Sequence, residues 1–160
     1  MIVLPASEAD VHFVVTFMRE ADRREVYAGR WTDEPADLVA DIELSRPMMI
    51  RLEALCTADG EPVALLGVWL KSPGVGTGLM IATDRWGEIA PAAHRYVLRR
   101  FLPLVCAPNL RRLECQAHVE HAVSRRWLAR LGFVEEGVAR ALGKNGEDFV
   151  HCAWFPRKEA

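Results

Sequence analysis

The chain has 160 residues, 51% of them hydrophobic and 26% charged, with 20 Lys and Arg against 22 Asp and Glu for a net charge of −2. That length suits a single domain over residues 1–160 with a sizeable core, and the composition excludes both disorder and collagen-like repetition. The charge balance gives no reason to expect a nucleic-acid partner, no apolar run approaches the roughly 20 residues of a membrane span, and MIVLPASEAD has no basic region ahead of its short apolar run, so neither a membrane segment nor a signal peptide is expected.

Ile2 to Leu4 reads as a short strand. Ser7 then caps a helix, with Asp10 as the acidic residue of a capping-box variant. Val11, Val14, Val15, Met18 and Ala21 form its inward stripe, and the helix is expected to continue to about Ala28, where Gly29 releases it. A second helix starts near Thr32 and Asp33, tolerates Pro35 in its first turn, buries Leu38, Val39 and Ile42, and ends at Pro47. Met49 to Cys56 and Pro62 to Lys71 read as strands around the Asp59-Gly60 hairpin turn. A loop from Ser72 to Gly78 then leads to a short strand, Leu79 to Thr83, which completes a meander. The three glycines at 74, 76 and 78 superficially resemble a dinucleotide loop, but no helix follows them.

A third helix begins near Pro91, contributes Val97, Leu98 and Phe101, and either stops before Pro103 or passes through it with a kink. Arg112 to Ala117 is the next strand. The following helix ends in SRRWLARLGF, where Leu128 and Leu131 repeat at buried-face spacing, Gly132 can take the left-handed closing conformation, and Phe133 can fold back on the last turn. Two last strands, Val134 to Leu142 and Asp148 to Phe155, flank the Asn145-Gly146 turn. The cysteines Cys56, Cys106, Cys115 and Cys152 stand singly, without a CxxC pair, and read as buried reduced thiols, which suits the cytoplasm. Trp31, Trp69 and Trp86 read as core or rim packing.

The Leu-Gly-Phe stop between helix and strand, together with the order of strand, two helices, three strands, helix, strand, helix and two strands, resembles the GNAT acyltransferase superfamily over nearly the whole chain. The resemblance implies an α+β fold with a mixed, mostly antiparallel seven-stranded sheet, about four helices, and a parallel fourth and fifth strand that splay apart. It also implies acetyl-CoA as co-substrate, with the pantetheine arm in the gap, and an amine as acceptor. Carried onto this sequence, the CoA-contacting positions are Ala82 and Thr83 at the end of the fourth strand, then Arg85, Trp86, Gly87 and Ala90, with His121 and Ser124 across the cleft.

Two positions depart from the family's pattern. Glu88 stands where the pyrophosphate loop has its central glycine, and a carboxylate there is expected to occupy the helix-start amides and repel phosphate. Leu128 stands where many members have a Tyr that protonates the leaving thiolate, whereas the Ser124 and Leu128 pair resembles members that lack this Tyr. For a base that deprotonates the amine, the candidates are Glu114, His118, Glu120 and His121, with Glu114 and His118 preferred as the catalytic pair. The alternating Glu114 and Gln116 also suit a plain solvated strand face. His118 and His121 lie i, i+3 apart without further ligands, so no metal is expected.

Met18-Arg19-Glu20-Ala21-Asp22 with Glu25-Val26, Gly60-Glu61-Pro62-Val63, Leu66-Gly67-Val68, Gly74-Val75-Gly76, and Arg126-Trp127-Leu128 with Leu131-Gly132-Phe133 resemble a GNAT-like family of internal virion or assembly proteins from short-tailed phages. Two functions follow as expectations. One is acyl-CoA-dependent N-acyltransfer to an amine. The other is a catalytically reduced phage or prophage module that binds a virion or assembly partner. A homodimer is compatible with either.

Overall fold

The computed structural model describes residues 1–106 and 109–156. Its seven strands, β1 (Ile2–Pro5), β2 (Met49–Cys56), β3 (Pro62–Ser72), β4 (Val75–Ala82), β5 (Arg112–His118), β6 (Val134–Ala139) and β7 (Phe149–Trp154), form one sheet in the order β1-β2-β3-β4-β5-β7-β6. Every neighbouring pair is antiparallel except β4 and β5, which run parallel. The expected α+β, GNAT-like architecture is the one found.

Helices cover both faces of the sheet. On one face, α1 (Glu8–Thr16), α2 (Glu20–Ala28) and α3 (Pro35–Ser45) bury Val11, Val14, Val15, Tyr27, Leu38 and Ile42 against Leu52, Ala54, Leu65 and Ile81. On the other, α4 (Trp86–Tyr96), the turn that follows it at Val97–Phe101, α5 (Leu102–Cys106) and α6 (Ala122–Leu131) bury Ile89, Ala93, Phe101, Val105 and Leu131 against Val63, Val68, Ala82 and Leu113. Among the described residues no helix is long and apolar enough to cross a membrane.

The capping box at Ser7 is present, with the Asp10 amide donating to the Ser7 hydroxyl at 3.2 Å and the Ser7 amide donating to the Asp10 carboxylate at 2.8 Å. The helix it opens does not continue to Ala28, however. It ends at Thr16; Met18 forms an isolated bridge with Thr83, and the Arg19 amide donates to the Ala82 carbonyl at 2.9 Å. Buried residues before and after the break keep helical spacing, so the periodicity runs on although the backbone at 18 and 19 bonds to the end of β4.

β4 also starts earlier than the glycines suggest. Gly76 lies within it because a Cβ there would stand 2.8 Å from Leu110 and 3.0 Å from Val68, so close packing rather than loop flexibility calls for glycine. α4 begins at Trp86, ahead of Pro91, and the chain stays helical through Pro103 by widening into a π turn at Val97–Phe101, where the Leu102 amide reaches the Val97 carbonyl. At the end of α6, Gly132 takes φ 92°, and the Gly132 and Phe133 amides donate to the Ala129 and Leu128 carbonyls in a Schellman closure. Trp31 departs from expectation: it is 101% exposed in the loop ahead of α3 and packs in neither core nor rim.

Candidate functional site

Parallel pairing between β4 and β5 covers only Val75 with Arg112, Gly76 with Leu113, and Thr77 with Glu114. Beyond Thr77 the strands separate. Main-chain groups of a strand alternate between its two edges, so Met80 and Ala82 on β4, and Gln116 and His118 on β5, turn their N–H and C=O groups into the gap. A cavity of about 710 Å³ lies there, lined among others by Met80, Gln116, Ser124 and Trp127. Three of its lining residues hold buried donors without a partner among the described residues: Arg19 Nε, Arg30 Nε and Trp127 Nε1. Trp127 is steered by an edge-on contact with Trp86 at 5.8 Å, which joins the start of α4 to the middle of α6.

At its wide end the gap is bridged by acids from α2. Asp22 accepts the Ala82 amide at 2.7 Å and pairs with Arg19 at 2.8 Å. Glu25, one turn on, accepts the His118 amide at 2.7 Å. His121, the N-cap residue of α6, stands between them, its Nδ1 3.1 Å from Glu25 and its Nε2 3.8 Å from Asp22. Burial pushes the Asp22 carboxyl above its ordinary value against the opposing pull of Arg19. Sequence reasoning saw Asp22 and Glu25 only as letters of a motif. Their 22-to-25 spacing on one helical face, opposite two strand ends, was the available signal.

The loop from Ala82 to Ala90 corrects the expectation for Glu88. Its carboxylate does not cap the helix-start amides; it binds the Arg85 guanidinium through two bonds of 2.8 Å, while Glu61 holds the same guanidinium at 2.7 Å. These partners hold Glu88 below and Arg85 above their ordinary values. The amides of Trp86 and Glu88 donate to the Thr83 and Arg85 carbonyls, and the Arg85 amide reaches the Thr83 hydroxyl at 3.4 Å. A Cβ at Gly87 would meet nothing within 4 Å, so no packed neighbour demands glycine at this turn.

The other expected residues are dispersed. Ser124 lines the cavity, and Ala82 and His121 border it through the α2 acids. Glu114 also lines the cavity, but Lys71 and Arg112 bind its carboxylate and, with the Lys71 bond foremost, hold it below its ordinary value. The His118 side chain opens instead onto a second cavity of about 480 Å³ with Arg23, Tyr27 and Lys144. There its ring meets Phe149 edge-on at 5.5 Å, and its Nδ1 accepts the Glu120 amide at 3.1 Å. Glu114 and His118 share a strand but not a cavity. All four cysteines are free thiols, with Cys115 and Cys152 facing one another across β5 and β7.

No protein-family model and no curated protein sequence matches this chain. Solved structures do. A ribosomal-protein-alanine N-acetyltransferase from Brucella melitensis superposes with a TM-score of 0.74 at 15% identity, over 98% of this chain and 100% of that one. A GNAT superfamily phosphinothricin acetyltransferase from Sinorhizobium meliloti, solved in complex with AcCoA, gives 0.75 at 14% identity, over 96% and 87%. A spermidine N-acetyltransferase mutant from Vibrio cholerae gives 0.72 at 13%, over 97% and 95%. These neighbours are N-acetyltransferases, and the likeness is one of fold across almost the whole chain.

Proposed function

We propose that the protein transfers an acyl group from acetyl-CoA to an amine by direct attack in the gap between β4 and β5. The observation that carries this reading is the parting of the two strands after Thr77 and Glu114 over a cavity of about 710 Å³. A pantetheine arm is thin, carries amide groups, and needs donors for its carbonyls; the Met80 amide edge and the orphaned Trp127 Nε1 and Arg19 Nε meet that need. Acetyl-CoA supplies the activated acyl group, and an amide N–H of β4 aimed at the thioester carbonyl would stabilise the charge that develops there. Ser124 and Trp127 would flank the arm from α6, with Trp86 behind them.

The pyrophosphate end fits less well. Arg85 is already neutralised by Glu61 and Glu88, and the Arg85, Trp86 and Glu88 amides are internally bonded, so Thr83, Arg85, Gly87 and Ala90 would hold phosphate fully only after rearrangement. This, with the capture of the Ala82 and His118 amides by α2, supports a second reading: a GNAT-fold phage or prophage module that has lost catalysis and binds a virion or assembly partner. A cytoplasmic enzyme with reduced thiols, as monomer or homodimer, belongs to the first reading.

Melting curves with and without acetyl-CoA separate the two. At about 100 times its dissociation constant the ligand adds roughly 2.7 kcal/mol, and a thiol-release assay over a panel of amines then tests transfer. An unshifted melt and no turnover would leave the module reading.

A further inference from the structure

Resting on the acyl-transfer reading, we propose that Glu25 is the residue that receives the acceptor as its ammonium ion and takes the proton from it, so that the acceptors are cationic alkylamines. Among the described residues four carboxylates line the large cavity: Asp22, Glu25, Asp41 and Glu114. Three carry a cation already. Arg19 pairs with Asp22 at 2.8 Å, Arg30 with Asp41 at 2.6 Å, and Lys71 and Arg112 with Glu114. Among the described residues Glu25 has neither Lys nor Arg as a partner; it meets only the His118 amide at 2.7 Å and His121 Nδ1 at 3.1 Å, both through Oε2.

This arrangement suits a base for an incoming ammonium. The second oxygen, Oε1, has no hydrogen-bond partner among the described residues, and the side chain is 17% exposed at the cavity wall. The two contacts through Oε2 fix the carboxylate against the end of β5, so little orientational freedom remains to be lost when an amine arrives. An ammonium placed there forms a charge-assisted hydrogen bond to Glu25. His121 stands behind the carboxylate, with Asp22 on its far side.

The transfer balances as follows. The ammonium gives one proton to Glu25, and the freed nitrogen pair attacks the thioester carbonyl carbon. The C–N bond forms and the C–S bond breaks; the nitrogen loses a second proton to the departing thiolate, giving amide and thiol. Glu25 then returns its proton to water.

Glu25→Gln keeps an oxygen to accept the His118 amide but cannot take a proton, and it is compared with the wild type on two acceptors at pH 7. One is a primary alkylamine, which arrives protonated; the other is an aromatic amine, which arrives neutral. Expected is a fall of about 100-fold in kcat/KM for the alkylamine, a fall of only a few-fold for the aromatic amine, and an unchanged rise in melting temperature with acetyl-CoA. Equal losses on both acceptors would make Glu25 structural and overturn the proposal, as would an unchanged alkylamine rate; in either case wild-type turnover would leave acyl transfer standing. Absence of wild-type turnover and of acetyl-CoA binding would remove the acyl-transfer reading and this proposal with it.

Discussion

Asp22 on α2 accepts the amide hydrogen of Ala82 on β4 at 2.7 Å, 60 residues away in sequence. A carboxylate from the first third of the chain thus completes the hydrogen bonding of a strand end that has parted from its neighbour. Arg19 offsets its charge, and its position explains why the backbone leaves helical geometry at Met18 and Arg19.

Asp22→Ala would leave the buried Ala82 amide and the partly buried Arg19 guanidinium without their acceptor. Removing one partner of a buried pair costs about 3–5 kcal/mol, so a denaturant melt should show a loss of that size, and Asp22→Asn, which keeps an acceptor oxygen, a smaller one.

The pH dependence of stability should contain two opposing contributions. Glu114, held below its ordinary value of 4.5 by Lys71, contributes stability that is present above 4.5 and lost as pH falls through its lower value in the fold. Asp22, raised by burial above 3.8, contributes most below 3.8 and loses that contribution as pH climbs through its raised value. Stability differences between the wild type and Glu114→Gln or Asp22→Asn, measured by denaturation between pH 3 and 7, should therefore change with opposite slopes.

Glu88→Gln should strengthen acetyl-CoA binding, by about tenfold at low salt if the liberated Arg85 charge meets phosphate, with the gain shrinking as salt is added. Calorimetric titration reads both the affinity and its salt dependence. Equal affinity in the variant would mean that Arg85 stays committed to Glu61.

Leu131→Ala, at a residue 3% exposed, should cost about 2–5 kcal/mol. Gly132→Ala should cost about 1–2 kcal/mol through its positive φ of 92° alone, since the added Cβ would stand at an ordinary 3.5 Å from Trp154. Melts of the two variants separate the packing and conformational halves of the α6 stop.

The succession of strands along the chain, the capping box at Ser7 and the Leu-Gly-Phe closure were legible because each depends on local pattern: alternation, a cap three residues from its acid, a glycine after a helical stripe. The break at Phe17 was not legible, since what ends α1 is the edge of β4, far along the chain. The candidate site residues were legible as residue types but not by their partners. Ser124 lines the cavity, whereas Arg85 and His121 are not among its lining residues, and the side chains they meet, Glu61 for Arg85 and Glu25 for His121, come from distant segments. Glu114 illustrates the same limit, because Lys71, which binds it, lies on β3.

Mechanically, the sheet is two leaves. β1 to β4 make one and β5, β7 and β6 the other, and the seam between them is three pairs of ladder followed by the Asp22 and Glu25 bonds. Because both carboxylates belong to one nine-residue helix, the leaves cannot open at the wide end without unloading that helix from at least one of them. The backbone hydrogens of Ala82 and His118, on opposite leaves, are therefore guarded by a common event, and their exchange with solvent should report the opening of the seam as a unit.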